Sequence, residues 1–281
     1  MQKRSMIPFL CAVPAVGIGS LVMHLQGVAP LIYGQNIAAL VLGGIVSILC
    51  LSEPRRLNPR GSRYLLFLSL CGLCCSFAFS GTGGVHRWIE IGPLSLNAAF
   101  IFLPIALIAM DGLLTEGKQS PLLGAFVVIA GILFLQPDAS MVTAFTMAVT
   151  PMVFLRGQFR KPWAVGFVLL LLLTILAWIK SDSLEPVDYV EGILGMARDC
   201  GQFYWLAGVV SLLVLFVPFA IGAAKQERRA FCVGGAMFYL GALLSSAIGA
   251  YPVPVMGYGV SPIIGYLILA SYGIGASGIP Q

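Results

Sequence analysis

Charge is what this chain most lacks. Only 10% of its 281 residues are Asp, Glu, Lys or Arg, against about 25% in soluble domains. The hydrophobic fraction is 59%, and the mean hydropathy is +0.96. A soluble fold of this length would have too thin a polar shell to cover its core. The shortage excludes an ordinary cytosolic enzyme, a disordered chain and a nucleic-acid-binding domain. The net charge of +5 is therefore no nucleic-acid footprint. Histidine is scarce, at two residues, which leaves little for a metal centre. The seven cysteines are odd in number and mostly inside apolar runs, so no disulfide framework follows. Cys71, Cys74 and Cys75 crowd one predicted helix with no His or carboxylate nearby, and they read as small packing residues. Also missing are a soluble domain, a low-complexity segment and a clear internal repeat.

Apolar runs remain, ten of them: 7–25, 33–52, 64–80, 94–114, 121–136, 139–156, 162–179, 202–222, 230–250 and 257–276. A spanning helix needs about 20 residues. Helix is the state each run must take, because backbone amides in lipid have to be satisfied within the segment. The first run follows Lys3 and Arg4 and is expected to stay as a helix rather than leave as a signal peptide.

The charges test that count. With the N-terminus in the cytoplasm and alternating spans, thirteen of the sixteen Lys and Arg fall inside; only Arg87, Lys180 and Arg198 fall outside. Seven of the eleven acids fall outside. A missed or invented helix would invert every later loop and destroy this asymmetry. The positive-inside rule thus predicts an all-α polytopic membrane protein. It has about ten transmembrane helices, both termini cytoplasmic, and one transmembrane domain over 1–281. Within the spans, Asp111 sits near the inner end of the fourth and reads as a solvated interfacial acid. No mid-membrane Asp, Glu, His or Arg is evident, which argues against a proton-coupled carrier. Pro104, Pro151 and Pro218 fall inside spans, where each can kink a helix.

The polar chemistry gathers in the outer segments. Residues 81–93 carry His86, Arg87, Trp88 and Glu90. Trp88 suits a membrane interface. Arg87 can grip a phosphate through paired hydrogen bonds or serve as an anchor beside a salt bridge. His86 is too isolated for a metal ligand. A tight link follows at Gln136-Pro137-Asp138. The longest polar stretch, 180–201, holds Asp182, Glu185, Asp188, Glu191, Arg198 and Asp199. Such carboxylates can supply a general base or hold a divalent cation, or form a solvated loop. The last outer link carries Pro252, Pro254, Gly257 and Gly259.

Together these segments resemble the SEDS family (shape, elongation, division and sporulation), which includes RodA, FtsW and SpoVE. The Gly84-Val85-His86-Arg87-Trp88-Ile89-Glu90-Ile91-Gly92-Pro93 string is similar to that family's element after its third helix. Gln136-Pro137-Asp138 resembles its Gln-Pro-Asp element, with Ser140-Met141 where Gly-Thr usually follows. Pro254-Val255-Met256-Gly257, then Pro262-Ile263-Ile264 and Tyr266, resembles the opening of its last helix with one extra residue. The resemblance implies a peptidoglycan glycosyltransferase at the outer face of the bacterial inner membrane. Its substrate would be lipid II, a polyprenyl-pyrophosphate-linked disaccharide peptide. Its usual partner is a single-span penicillin-binding protein. Asp188-Tyr189-Val190 stands at the family's key acid, making Asp188 the implied base. Arg87, Trp88, Asp138, Arg198, Pro254 and Gly257 stand at implied substrate contacts, and a divalent cation is a candidate cofactor for the leaving phosphates. The chain departs from the family at Asn97-Ala98-Ala99-Phe100 and Leu103, where Gln-Pro-Ser-Glu and a later Lys are usual. Its loop before the eighth helix is also short. Two other readings therefore stay open: a non-catalytic SEDS-like scaffold of the division or elongation machinery, and a transporter of a polyprenyl-linked precursor.

Overall fold

The computed structural model describes residues 6–50, 57–92, 94–115, 120–157, 161–180 and 184–275. Its long elements are α1 (Ile7–Leu25), α2 (Pro30–Cys50), α3 (Pro59–Cys75), α4 (Ala98–Thr115), α5 (Ser120–Leu135), α6 (Ala139–Phe154) and α7 (Lys161–Ile179). After them come α8 (Ile193–Cys200), α9 (Gln202–Val214), α10 (Val217–Ala223), α11 (Gln226–Ile248) and α12 (Val260–Ile274). Between α3 and α4 stand two short antiparallel strands, β1 (Trp88–Ile91) and β2 (Leu94–Asn97). Seven helical stretches are long and apolar enough to cross a membrane, and three shorter apolar helices, Leu122–Leu135, Ala139–Phe154 and Val260–Ile274, fill the remaining predicted spans. The chain is an all-α polytopic membrane protein.

Local sequence explains where the helices begin. Asn58 caps α3, its side-chain oxygen accepting from Gly61 N at 2.7 Å, with Pro59 at the first helical position where no N–H is needed. Asp138 caps α6 by accepting from Met141 N at 3.1 Å. Asn97 does the same for α4 through Phe100 N at 3.1 Å. The predicted eighth span is broken at Pro218, where α10 restarts after α9; the two still form one apolar stretch, Gln202–Ala223.

Buried apolar residues form one contiguous cluster running through the bundle. Lipid tails are as apolar as leucine, so close packing must hold the helices together. The α6–α11 pair depends on small residues. A Cβ added at Gly241 would stand 2.8 Å from Ala144 Cα, and one at Gly234 would stand 2.9 Å from Ala148 O.

The structure corrects four local expectations. Residues 94–97, read as the start of the fourth span, pair instead with β1. Part of the 180–201 loop is helical, as α8. Cys71, Cys74 and Cys75 are exposed on α3 rather than packed. Asp111 is not solvated: it is 5% exposed, ion-paired with Arg156, and accepts from Tyr272 OH at 3.4 Å. Arg228 lies over the Tyr272 ring, 4.8 Å from its centroid, so α4, α6, α11 and α12 are tied at the end assigned to the cytoplasm.

Candidate active site

At the opposite end, the four outer segments meet around one cavity of about 320 Å³. Its wall comes from the β-hairpin, the start of α6, the 184–191 loop and the link into α12. The hairpin supplies its share by strand alternation. Trp88 pairs with Asn97 and Glu90 with Ser95. Side chains two apart share a face, so these four all line the cavity.

Arg87 fastens three of these segments together. It donates to Pro137 O, its Nε lies 3.6 Å from Asp138 Oδ2, and its guanidinium sits 5.3 Å from the Tyr251 ring centroid. Arg87 is 4% exposed and Asp138 2%. The neighbouring Gln136 donates from Nε2 to Leu73 O and to Ser76 Oγ, both at 2.8 Å, which binds the same link to the end of α3.

A helical turn shapes the fourth wall. Val190 N and Glu191 N both donate to Val187 O, at 2.8 and 3.0 Å. The turn is pinned to the last link by Val253 N donating to Val190 O at 3.2 Å and Tyr258 N donating to Tyr189 O at 2.8 Å. Gly257 permits this approach, since a Cβ there would collide with Val190 O. Asn36 holds the link from the other side, donating to Gly257 O and accepting from Gly259 N, each at 3.0 Å. Val255 takes a φ of +70° in this buried stretch, costly for a β-branched residue and held by its surroundings. Burial and the neighbouring Tyr189 phenol raise the pKa of Tyr258, whose hydroxyl donates to Gln35 Oε1 at 2.8 Å.

The residues singled out in the sequence fall into three places. Arg87, Trp88 and Asp138 line the cavity. Pro254 and Gly257 are buried behind its wall and set the backbone. Asp188 is exposed and outside the lining; Arg198 is exposed on α8 and borders a separate pocket with Gln202 and Trp205. Glu185 and Glu191 do line the cavity, as do Glu90, Tyr251, Tyr258 and the buried hydroxyls of Ser140 and Ser261. The spacing of the loop acids marked Glu185 and Glu191 as members of a carboxylate cluster. Nothing local marked the two serines.

The charge balance is acidic, with Arg87 set against Glu90, Asp138, Glu185 and Glu191. Arg87 and Asp138 are ion-paired, which leaves three other carboxylates in the lining. Carboxylates accept hydrogen bonds from hydroxyls, so this side suits a polyhydroxylated ligand. The α4, α6 and α12 N-termini begin at the lining, and their positive ends favour an anionic group near Arg87. Among the described residues no cluster of three or more His, Cys, Asp or Glu is placed to hold a metal ion. Beside the cavity runs an apolar groove of about 370 Å³ between α2 and α12. The two share a wall: Leu94 and Ser95 face opposite sides of β2, and Tyr258 of the cavity lining donates to Gln35 of the groove lining at 2.8 Å.

A polar cavity beside an apolar groove, at one end of a bundle of seven long and three shorter apolar helical stretches, defines a polytopic integral membrane protein. The sequence model described as "Cell cycle protein" (FTSW_RODA_SPOVE) matches residues 4–189, about two thirds of the chain, so the protein belongs to the FtsW/RodA/SpoVE family. No curated protein matches it by sequence. In fold it is similar to the rod shape determining protein RodA of Thermus thermophilus, with a TM-score of 0.64 at 21% identity over 96% of this chain and 94% of that one. It is also similar to a chain of a peptidoglycan synthase complex described as coordinating polymerization and crosslinking, with a TM-score of 0.67 at 20% identity and 95% of each chain covered. At such identities these likenesses establish the fold.

Proposed function

We propose that the protein is a membrane glycosyltransferase that polymerises lipid II into peptidoglycan glycan strands during cell elongation or division. The whole chain, 1–281, would work as one SEDS-like unit in the bacterial inner membrane, beside a single-span penicillin-binding protein. The observation that carries this reading is the acidic outer cavity adjoining an apolar groove: a hydroxyl-rich headgroup beside a polyprenyl tail needs that pairing. Family membership and the RodA-like fold support it.

In the reaction a sugar hydroxyl attacks an anomeric carbon while polyprenyl pyrophosphate leaves. A carboxylate of the 184–191 segment takes the hydroxyl proton; Asp188 is the acid that the family resemblance implies. Arg87 and the helix N-termini face the leaving phosphates. Trp88 offers its ring to a sugar face.

The test is a lipid II polymerisation assay on the purified full chain, alone and with its co-encoded penicillin-binding protein, with products resolved on a gel. Polymer supports the reading. Its absence from folded protein in both conditions favours the scaffold reading. One observation favours that second reading: Phe100 and Leu103 are both buried apolar side chains, at the positions where the family usually carries Glu and Lys.

A further inference from the structure

We infer that Glu191, rather than Asp188, is the carboxylate that receives the acceptor's proton. This rests on the glycosyltransferase reading above and names the residue that does its central step. In a helical turn successive side chains are about 100° apart. Counting from Val187, Val190 and Glu191 return to the same side of the turn, whereas Asp188 and Tyr189 point away. The cavity obeys this phase: Val187, Val190 and Glu191 line it, and Asp188 and Tyr189 do not. Reversing the phase would break both backbone pins, Val253 N to Val190 O and Tyr258 N to Tyr189 O.

Glu191 is also the best oriented acid in the cavity. Its Oε2 accepts from Val187 N at 2.7 Å, which fixes the side chain against its own turn. An ionised carboxylate offers about four acceptor positions, enough to hold its own turn and still meet a substrate hydroxyl while sharing several bonds. Glu191 is half-buried, while Glu185 and Glu90 are exposed at the rim. Asp138 is committed to Arg87 and to the α6 cap. In the step itself, the acceptor oxygen bonds to the anomeric carbon as that carbon's bond to the pyrophosphate oxygen breaks. The pyrophosphate departs with the bonding pair, and the hydroxyl proton passes to Glu191 and then to solvent.

The experiment compares Glu191→Gln, Glu191→Asp and Asp188→Asn in the full chain with its penicillin-binding protein, using lipid II as probe. Glutamine keeps an acceptor for Val187 N, so the turn should hold, and melting in detergent checks that it does. Glu191→Gln should cut turnover by about 10²–10⁴-fold, with little change in KM and loss of the acid limb of the pH–rate profile. Glu191→Asp should recover part of the activity. Asp188→Asn should lose at least about tenfold less than Glu191→Gln. Wild-type turnover in Glu191→Gln would overturn the inference while leaving the polymerase reading intact. So would abolition by Asp188→Asn with Glu191→Gln active. A wild-type chain that makes no polymer would overturn both.

Discussion

Removing one charge of the Arg87–Asp138 pair should cost far more than removing both. The two side chains are 4% and 2% exposed, so the values near zero typical of surface pairs do not apply. Breaking a buried pair leaves an uncompensated charge, at about 3–5 kcal/mol. Arg87→Met leaves the Asp138 carboxylate with its cap to Met141 N but without its cation, and should fall in that range. Asp138→Asn keeps a good N-cap residue, and the arginine retains Pro137 O and the Tyr251 ring. Its cost should lie near the lower end, about 3 kcal/mol. Asp138→Ala also loses the cap and should cost about 1 kcal/mol more. The Nε–Oδ2 separation of 3.6 Å is long for a hydrogen bond, so the pair's attraction does little beyond offsetting its own desolvation. The double variant Arg87→Met/Asp138→Asn should therefore lie within about 1 kcal/mol of wild type. Reversible unfolding in mixed detergent, read by tryptophan fluorescence, gives all four corners of the cycle. Additive single costs would refute the argument, because they would mean that neither charge depends on the other.

Three further outcomes follow from other contacts. Gly257→Val should drive its side chain into Val190 O, releasing the 184–191 turn; proteolysis of that loop should become faster while the bundle's melting changes less. Gly241→Leu should overpack α6 against α11, where a Cβ already stands 2.8 Å from Ala144 Cα; a loss of about 1–3 kcal/mol in the same unfolding assay is expected. Trp88→Ala should raise the KM for lipid II more than it lowers kcat, since its ring offers binding area and no proton.

Much of the fold was legible in the sequence. The apolar runs gave the spans to within a few residues. The Lys and Arg placement separates the same two ends as the structure: the four polar segments assigned outside all contribute to the cavity, and Asp111, Arg156, Arg228 and Tyr272 gather at the other end. The hairpin was hidden because Leu94 and Leu96 run directly into an apolar helix. Its signal was the alternation of Trp88 with Glu90 and Ser95 with Asn97. The helix α8 has eight residues between Gly192 and Gly201, too few to establish a period. Arg87 and Asp138 were each singled out, but their pairing joins residues 51 apart and no local pattern reveals it. Asp111 was misread for the same reason, its partner being Arg156. The phase of the 187–191 turn was invisible because it is fixed by Val253 and Tyr258, far along the chain.

The positions of the two polar assemblies have a common physical cause. Helices in lipid gain little from burying apolar faces against one another, so packing and polar contacts must set their relative placement. Polar ties are least costly near the helix ends, where desolvation is incomplete. Here α4 and α6 are joined at both ends: by Asp111 and Arg156 on one side, and on the other by the hairpin, whose Arg87 feeds directly into α4 and reaches Asp138 at the α6 cap. Helices α11 and α12 enter the same inner cluster through Arg228 and Tyr272, and frame the cavity through Tyr251 and Ser261. The middle of these helices is then free to be apolar and closely packed, as Gly234 and Gly241 show. That division of labour explains how a chain with so few charges can hold a cavity lined by five charged side chains: its charged contacts are concentrated at the two ends of the bundle, where water or a headgroup is within reach.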